Sequence, residues 1–180
     1  INEFCNSTNV SRDQIFLTTK LNTSDHGYDQ AITAFHQSRQ NLGAEYIDLY
    51  LIHWPGKKGL KRESQENIKW RTESWKALET LYRQEKVKAI GISNYCVHHV
   101  KHLLENCEIV PMVNQVELHP QLPQTDLLQL CIENKIQVQS YSSLAKGELL
   151  KNQTVLTVAQ SINRTPSQVL LRWCLTQGIP

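Results

Sequence analysis

Short apolar runs alternate along the chain with segments in which apolar residues recur at helical spacing. Five of the runs end at a polar residue: Ile15–Thr19 before Lys20, Ile47–Ile52 before His53, Val87–Ile92 before Ser93 and Asn94, Met112–Asn114 before Gln115, and Ile136–Ser140 before Tyr141. Buried parallel strands form such runs because helices cover both of their faces. We therefore predict five parallel strands with polar side chains at their carboxyl ends, where barrel enzymes hold catalytic groups.

The segments between these runs carry apolar residues at i, i+3 and i+4, which predicts helices. The predicted helices cover residues 1–9, Gly27–Leu42, Trp70–Glu85, Val97–Asn106, Pro123–Asn134 and a last segment from Thr165 to Gly178. In the helix that begins at Pro123 we expect four side chains to face inward: Leu127, Leu128, Cys131 and Ile132. Residues 55–68 contain glycines and a charged stretch, which predicts a long loop of the kind that is uncommon unless functional.

Strand and helix alternate throughout, which is typical of an open doubly wound sheet or of a barrel. An open sheet usually carries a glycine-rich turn after its first strand, but the glycines here are scattered and form no such motif. We therefore predict an α/β fold of the (β/α)8 TIM-barrel type, here a partial barrel with about five of the usual eight strands. Residues 1–180 are expected to form one domain that is incomplete at both ends.

Composition and charge narrow the class of partner. The chain is 40% hydrophobic and 20% charged, which is ordinary for a globular domain. Its net charge is +2 and its basic residues form no stripe that would indicate nucleic acid. No apolar run approaches the roughly 18 residues that a membrane span requires. We expect a monomer with a small-molecule partner, and neither nucleic acid nor a membrane as partner.

The five cysteines show neither close pairs nor metal-ligand spacing, so we expect reduced thiols, a cytoplasmic location and no bound metal. Five Asn-x-Ser/Thr triplets fit the glycosylation pattern, but motifs this short also arise by chance.

Two residues at predicted strand ends could take part in acid–base chemistry. His53 follows a buried strand, and a histidine there can donate to or accept from a substrate oxygen near neutral pH. Lys20 could lower the pKa of a neighbouring acid or form a Schiff base. The structural alternatives are a histidine satisfied by backbone groups and a lysine whose ammonium reaches solvent.

Amide, hydroxyl and aromatic groups end the other strands. Ser93, Asn94 and Gln115 have both donors and acceptors, which suits a carboxamide ligand. Tyr141 could stack on a flat heterocycle, and the turn behind it could hold phosphate with backbone N–H groups. Loop capping and a tyrosine at a barrel rim are the alternatives that these residues alone leave open.

Four sequence motifs that occur in a fixed order indicate a family more specifically than any single residue does. They are Tyr-Ile-Asp-Leu-Tyr-Leu-Ile-His-Trp-Pro at 46–55, Gly-Ile-Ser-Asn at 91–94, Asn-Gln-Val-Glu-Leu-His-Pro at 114–120 and Tyr-Ser-Ser-Leu-Ala at 141–145. With Thr18-Thr-Lys20-Leu before them and the helix from Thr165 after them, the chain closely resembles the aldo-keto reductase family over essentially its whole length.

The resemblance implies a (β/α)8 barrel that reduces aldehydes or ketones to alcohols by hydride transfer from NADPH, with NADH possible. It implies that Lys20 is the lysine that depresses the pKa of a proton-donating tyrosine, and that His53 orients the carbonyl. The other implied roles are carboxamide binding by Ser93, Asn94 and Gln115, stacking by Tyr141, pyrophosphate contact by Ser142 and Leu144, and a substrate-pocket wall formed by His53 and Trp54.

The same resemblance places the proton-donating tyrosine and its aspartate before Ile1, and the residues that grip the 2′-phosphate after Pro180. We therefore expect the chain alone to be inactive, since loss of a general acid typically costs roughly 10²–10⁴ in rate. The alternatives are a non-catalytic relative, such as a channel auxiliary subunit or a crystallin, and a truncated product.

Overall fold

Strand and helix alternate in the computed structural model, which describes residues 1–180 apart from the side chain of Asn2. The chain divides into two compact units, Ile1–Val113 and Asn114–Pro180. The elements of the first unit are α1 (Asn2–Thr8), β1 (Thr18–Leu21), α2 (Tyr28–Leu42), β2 (Ile47–Ile52), α3 (Glu66–Arg83), β3 (Val87–Ser93) and α4 (Val97–Leu104). The chain then forms β4 (Val113–Glu117), α5 (Thr125–Glu133), β5 (Gln137–Tyr141), α6 (Gln153–Ser161) and α7 (Pro166–Thr176), which belong to the second unit except for Val113. Short 3-10 helices cover Arg12–Gln14, Thr23–Asp25 and Ala145–Lys151.

The strands of the first unit form a parallel ladder in chain order. Lys20 of β1 is the register partner of Leu51, and Leu51 in turn is the partner of Gly91 in β3. All six residues of β2 are buried, because β1 and β3 flank it and helices cover it. The core beside the ladder includes Phe35 of α2 and Trp75 of α3, both at most 1% exposed.

Asp48 is a buried carboxylate inside the otherwise apolar strand β2. It accepts a hydrogen bond from the Leu17 amide at 2.9 Å, and it pairs with Arg12 at 2.8 Å and Lys88 at 3.1 Å. Burial opposes ionisation, but the Leu17 amide and the two cations outweigh it and hold the pKa of Asp48 below its usual value. The carboxylate thus ties the segment before β1 to β2 and β3.

In the second unit, β5 lies beside β4, and the Leu118 amide donates to the Tyr141 carbonyl at 3.3 Å. The predicted start of α7 is confirmed, since Thr165 and Gln168 form a capping box and Pro166 occupies the first turn. Leu170 of α7 packs with Ala145, Leu149 and Val155 in a small apolar core.

Two boundaries of the sequence-based assignment were wrong. β1 begins at Thr18, because the Leu17 amide bonds to Asp48 and Phe16 is 70% exposed. α3 begins at Glu66 inside the predicted loop, where buried Asn67 donates to the Lys61 carbonyl and accepts from the Lys57 amide. Apolar periodicity did not reveal this start because its first residues are polar.

Helix α5 also differs from the prediction. Leu127 and Cys131 are buried as expected, but Ile132 is 69% exposed. Helix α6 was not predicted at all, although Val155, Val158 and Ala159 stand at helical spacing. Val155 and Ala159 are buried, whereas Val158 is exposed. Asn152 starts this helix by accepting from the Thr154 and Val155 amides.

Among the described residues, every helix is too short or too polar to cross a membrane.

His26 is a fully buried histidine at the entry to α2. In the described structure neither of its ring nitrogens has a hydrogen-bond partner, and burial together with the charge of Lys57 lowers its pKa to about 4. Lys57 donates to the His26 carbonyl at 2.8 Å and lies 3.4 Å from the centroid of the Trp70 ring. Burial and the charge of Lys57 therefore keep the imidazole of His26 neutral.

We expect acid to destabilise the fold through His26. Its folded pKa lies below the unfolded value, so the unfolded state binds the proton first as pH falls below about 6.5. This site should lower the free energy of unfolding by about 2 kcal/mol between pH 7 and pH 5. Urea unfolding of His26→Gln should show a weaker pH dependence, whereas His36→Gln on the exposed face of α2 should behave like wild type. Equal pH dependence in the two variants would contradict the role of His26.

Gly91 allows β3 to pack closely on its neighbours. A Cβ atom at this position would lie 2.5 Å from the Val113 carbonyl oxygen and 2.7 Å from Leu51 Cδ2. We expect Gly91→Ala to lower the free energy of unfolding by about 1–3 kcal/mol through overpacking. Gly56→Ala is the matched control, since its nearest neighbour would be Asn67 Oδ1 at 3.7 Å. A Gly91→Ala variant as stable as this control would show that the strands can separate without cost.

Candidate active site

Three strand ends of the first unit bring candidate residues to one edge of the sheet. Lys20 lies in β1, one residue before its end, and Ser93 is the last residue of β3. His53 directly follows β2, and its amide donates to the Leu21 carbonyl at 3.1 Å. Because the strands are parallel, these residues lie at the same carboxyl edge, as the sequence predicts.

Asn94 ties two of these strand ends together. Its backbone is left-handed, with φ 63°, a conformation that asparagine adopts more readily than most residues. Its side-chain amide donates to the His53 carbonyl at 2.9 Å and to Ser93 Oγ at 3.1 Å. Ser93 is only 1% exposed. The amide and hydroxyl groups after β3 are therefore fixed relative to the backbone after β2.

The electrostatics of His53 favour a neutral imidazole. Partial desolvation and then the positive charge of Lys20 lower the pKa of His53. A neutral ring has one nitrogen that donates and one that accepts. His53 can therefore hydrogen-bond a substrate oxygen at neutral pH without carrying a charge.

Trp54 lies beside His53 and is 43% exposed, with the two ring centroids 6.2 Å apart. It lines a cavity of about 650 Å³ with residues of the loop after β2 and of the turn after β3. Asn94 and the buried Arg71 also line this cavity. The tryptophan thus provides an apolar wall next to the candidate acid–base groups.

The remaining candidates lie in the second unit. Gln115 lies inside β4, and its side-chain amide donates to Gln139 of β5 at 2.6 Å. Tyr141 ends β5, and burial together with the charge of Glu117 raises its pKa. Its hydroxyl is therefore un-ionised at neutral pH, which leaves an uncharged ring for stacking.

The turn after Tyr141 has an unusual backbone. Ser142 has φ 50°, and Ser143 contacts Ser140 through the two hydroxyls at 2.7 Å. Ser140 also donates to the Leu118 carbonyl at 2.9 Å. Leu144 packs on the small apolar core around Leu149. The turn is thus anchored on both sides, although its role in phosphate binding remains a prediction.

A cluster that the sequence analysis missed lies just after Asn94. Cys96 Sγ is 3.3 Å from His98 Nδ1 and 3.1 Å from His99 Nδ1 at the start of α4. Burial, followed by the positive charges of His98 and Arg71, lowers the pKa of His99 to about 4. The available signal was Cys-x-His-His at a helix start, a spacing that standard metal motifs do not include.

The chain matches the protein-family model of the aldo/keto reductase family over residues 1–179. Among curated relatives, the 9,11-endoperoxide prostaglandin H2 reductase of Trypanosoma cruzi is 45% identical over 173 residues, which are 94% of this chain and 57% of the relative. The glyoxal reductase of Bacillus subtilis is 43% identical over 170 residues, which are 94% of this chain and 58% of the relative. The chain therefore spans less than two thirds of the length of these relatives.

Solved structures agree with the fold. An aldo-keto reductase from a Medee basin deep-sea metagenome library superposes with a TM-score of 0.87 at 41% identity, covering 98% of this chain and 62% of that one. An aldo-keto reductase complexed with NADPH gives a TM-score of 0.86 at 29% identity, covering 99% of this chain and 57% of that one. The predicted partial (β/α)8 barrel is thus confirmed. The family model, the relatives and these structures together show that the chain belongs to the aldo/keto reductase family.

Proposed function

We propose that this chain is part of an NADPH-dependent reductase that converts aldehydes or ketones to alcohols. The observation that carries the proposal is the group of Lys20, His53, Ser93 and Asn94 at one carboxyl edge of the parallel ladder. The family membership and the NADPH complex of one structural relative support the choice of cofactor. NADH is the alternative cofactor, and comparing the affinities for NADPH and NADH by titration distinguishes the two possibilities.

The chemistry of the candidate residues suits a nicotinamide. Ser93 and Asn94 of the first unit, and Gln115 of the second, are each proposed to contact a carboxamide, because hydroxyl and amide groups can both donate and accept. Tyr141 supplies an uncharged aromatic face, and Ser142 and Leu144 are proposed to lie by the pyrophosphate. When bound, the cofactor would supply the hydride.

The acid–base chemistry would fall to Lys20 and His53. The ammonium of Lys20 would stabilise the anionic form of a neighbouring acid and so lower the pKa of the group that donates the proton. The neutral imidazole of His53 would hydrogen-bond the carbonyl oxygen and hold it in place. Trp54 would exclude water from one side of the substrate and add apolar contact.

Small carbonyl compounds are the first substrates to test. The relative named glyoxal reductase suggests short dicarbonyls, and the one named prostaglandin H2 reductase suggests a bulkier class. The alternative is that the protein is a non-catalytic barrel that still binds the cofactor. The presence of Lys20 and His53 disfavours this alternative.

Cofactor binding can be measured directly by calorimetric titration of the chain with NADPH and, separately, NADH. We expect Tyr141→Ala to weaken NADPH binding about tenfold, because the aromatic face for the ring is lost. Tyr28→Ala, a partly exposed tyrosine at the start of α2, is the control and should bind like wild type. Equal affinity in both variants would remove Tyr141 from the proposed site.

Catalysis is best measured with the chain grafted between the flanking segments of the Bacillus subtilis glyoxal reductase. We expect this completed barrel to oxidise NADPH in the presence of glyoxal, and Lys20→Met to lower kcat by roughly 10²–10⁴. Lys76→Met, an exposed lysine of α3, should leave kcat unchanged. The chain without these segments should bind cofactor but turn over negligibly. A completed barrel that binds NADPH and reduces no carbonyl compound would favour the non-catalytic alternative.

A further inference from the structure

We propose that Cys96, His98 and His99 bind a divalent transition metal of the Zn²⁺ class at the start of α4. This site is separate from the residues proposed for hydride transfer, so the inference does not depend on the proposed function. One thiol and two imidazole nitrogens are the donors that zinc sites use, whereas Mg²⁺ and Ca²⁺ prefer oxygen.

The geometry is close to that of a metal centre. The three donor atoms lie within 4.8 Å of one another, and Cys96 Sγ is 3.3 Å from His98 Nδ1 and 3.1 Å from His99 Nδ1. With ordinary Zn–S and Zn–N bond lengths, a tetrahedral angle would put sulfur and nitrogen about 3.6 Å apart. An opening of a few tenths of an ångström would therefore bring both sulfur–nitrogen distances to this value.

The local backbone explains why these donors meet. Cys96 precedes α4 in an extended conformation, with φ −87° and ψ 175°, so its side chain lies against the first helical turn. His98 and His99 belong to that turn. Because all three ligands come from four consecutive residues, bringing them together closes only a very short loop and costs little chain entropy.

Metal binding would replace the capping contacts that Cys96 and His99 make with each other at the start of α4. His99 Nδ1 accepts from the Cys96 amide at 3.4 Å, which is long for a hydrogen bond of this type. Cys96 and His98 are exposed, so these two ligands can move without disturbing the core. The free energy lost when these side chains rearrange is therefore small compared with that gained from the metal–ligand bonds.

Charge and space around the cluster determine the fourth ligand. Three protein donors leave one position open, as in catalytic zinc sites. The cluster borders the cavity of about 650 Å³, which the cationic Lys57, Lys58, Arg62 and Arg71 and the anionic Glu63 also line. These cations and the helix N-terminus disfavour a bare divalent ion, so negative charge among its ligands is needed to offset them. The same cations favour an anionic fourth ligand, such as hydroxide or a carboxylate.

The test is titration of the chelator-treated 180-residue chain with Co²⁺ and Zn²⁺. We expect one strong equivalent of metal, with the thiolate-to-cobalt charge-transfer band and the visible bands of tetrahedral Co²⁺, and displacement of cobalt by Zn²⁺. Cys96→Ser should abolish the charge-transfer band, and His98→Ala should weaken Zn²⁺ binding at least about tenfold. Mg²⁺ should neither bind nor compete.

Cys107→Ser and His36→Ala serve as controls and should keep both the spectrum and the affinity. Circular dichroism of Cys96→Ser and His98→Ala checks that each variant is folded, which the exposure of both side chains favours. The proposal is overturned if the charge-transfer band survives in Cys96→Ser, or if His98→Ala binds Zn²⁺ as tightly as the wild-type chain.

Discussion

Parallel hydrogen bonding among β1, β2 and β3 is the constraint on which the candidate site of the first unit depends. Its register sets Lys20 opposite Leu51 and Leu51 opposite Gly91, so the strands end at a common edge. His53 reaches that edge simply by following β2, and its amide extends the ladder to the Leu21 carbonyl. A slip of one residue would turn each side chain to the opposite face of the sheet, and the group would be lost.

The opposite end of the same ladder carries the buried charge. Asp48 is 4% exposed and is balanced by the Leu17 amide, Arg12 and Lys88. A buried carboxylate costs free energy unless it is paired and hydrogen-bonded, so these contacts hold the segment before β1 in one position. Stability is thus secured away from the edge where Lys20 and His53 lie, which is the division of roles typical of barrel enzymes.

The turn after β3 carries two separate groups of candidate residues. Asn94 uses its left-handed backbone to join the strand ends through the His53 carbonyl, and two residues later Cys96 begins the cluster with His98 and His99. The two groups border one cavity but use different atoms. A metal ion bound to the cluster would order the first turn of α4. It would not displace the Asn94 side-chain amide, because that amide donates to His53 and Ser93, which follow β2 and end β3.

The sequence by itself determined the alternation of strand and helix, the barrel class, and the candidates Lys20, His53, Ser93, Asn94, Gln115 and Tyr141, because buried parallel strands and family motifs both leave local signals. It did not reveal the early start of α3, because polar residues begin that helix, and helix α6 was not predicted although Val155, Val158 and Ala159 stand at helical spacing. Only the tertiary structure decided that Ile132 is exposed, that the ring nitrogens of buried His26 have no hydrogen-bond partner among the described residues, and that Cys96 meets two histidines. Each of these outcomes depends on what packs against the residue, and a one-dimensional pattern carries no record of that neighbour.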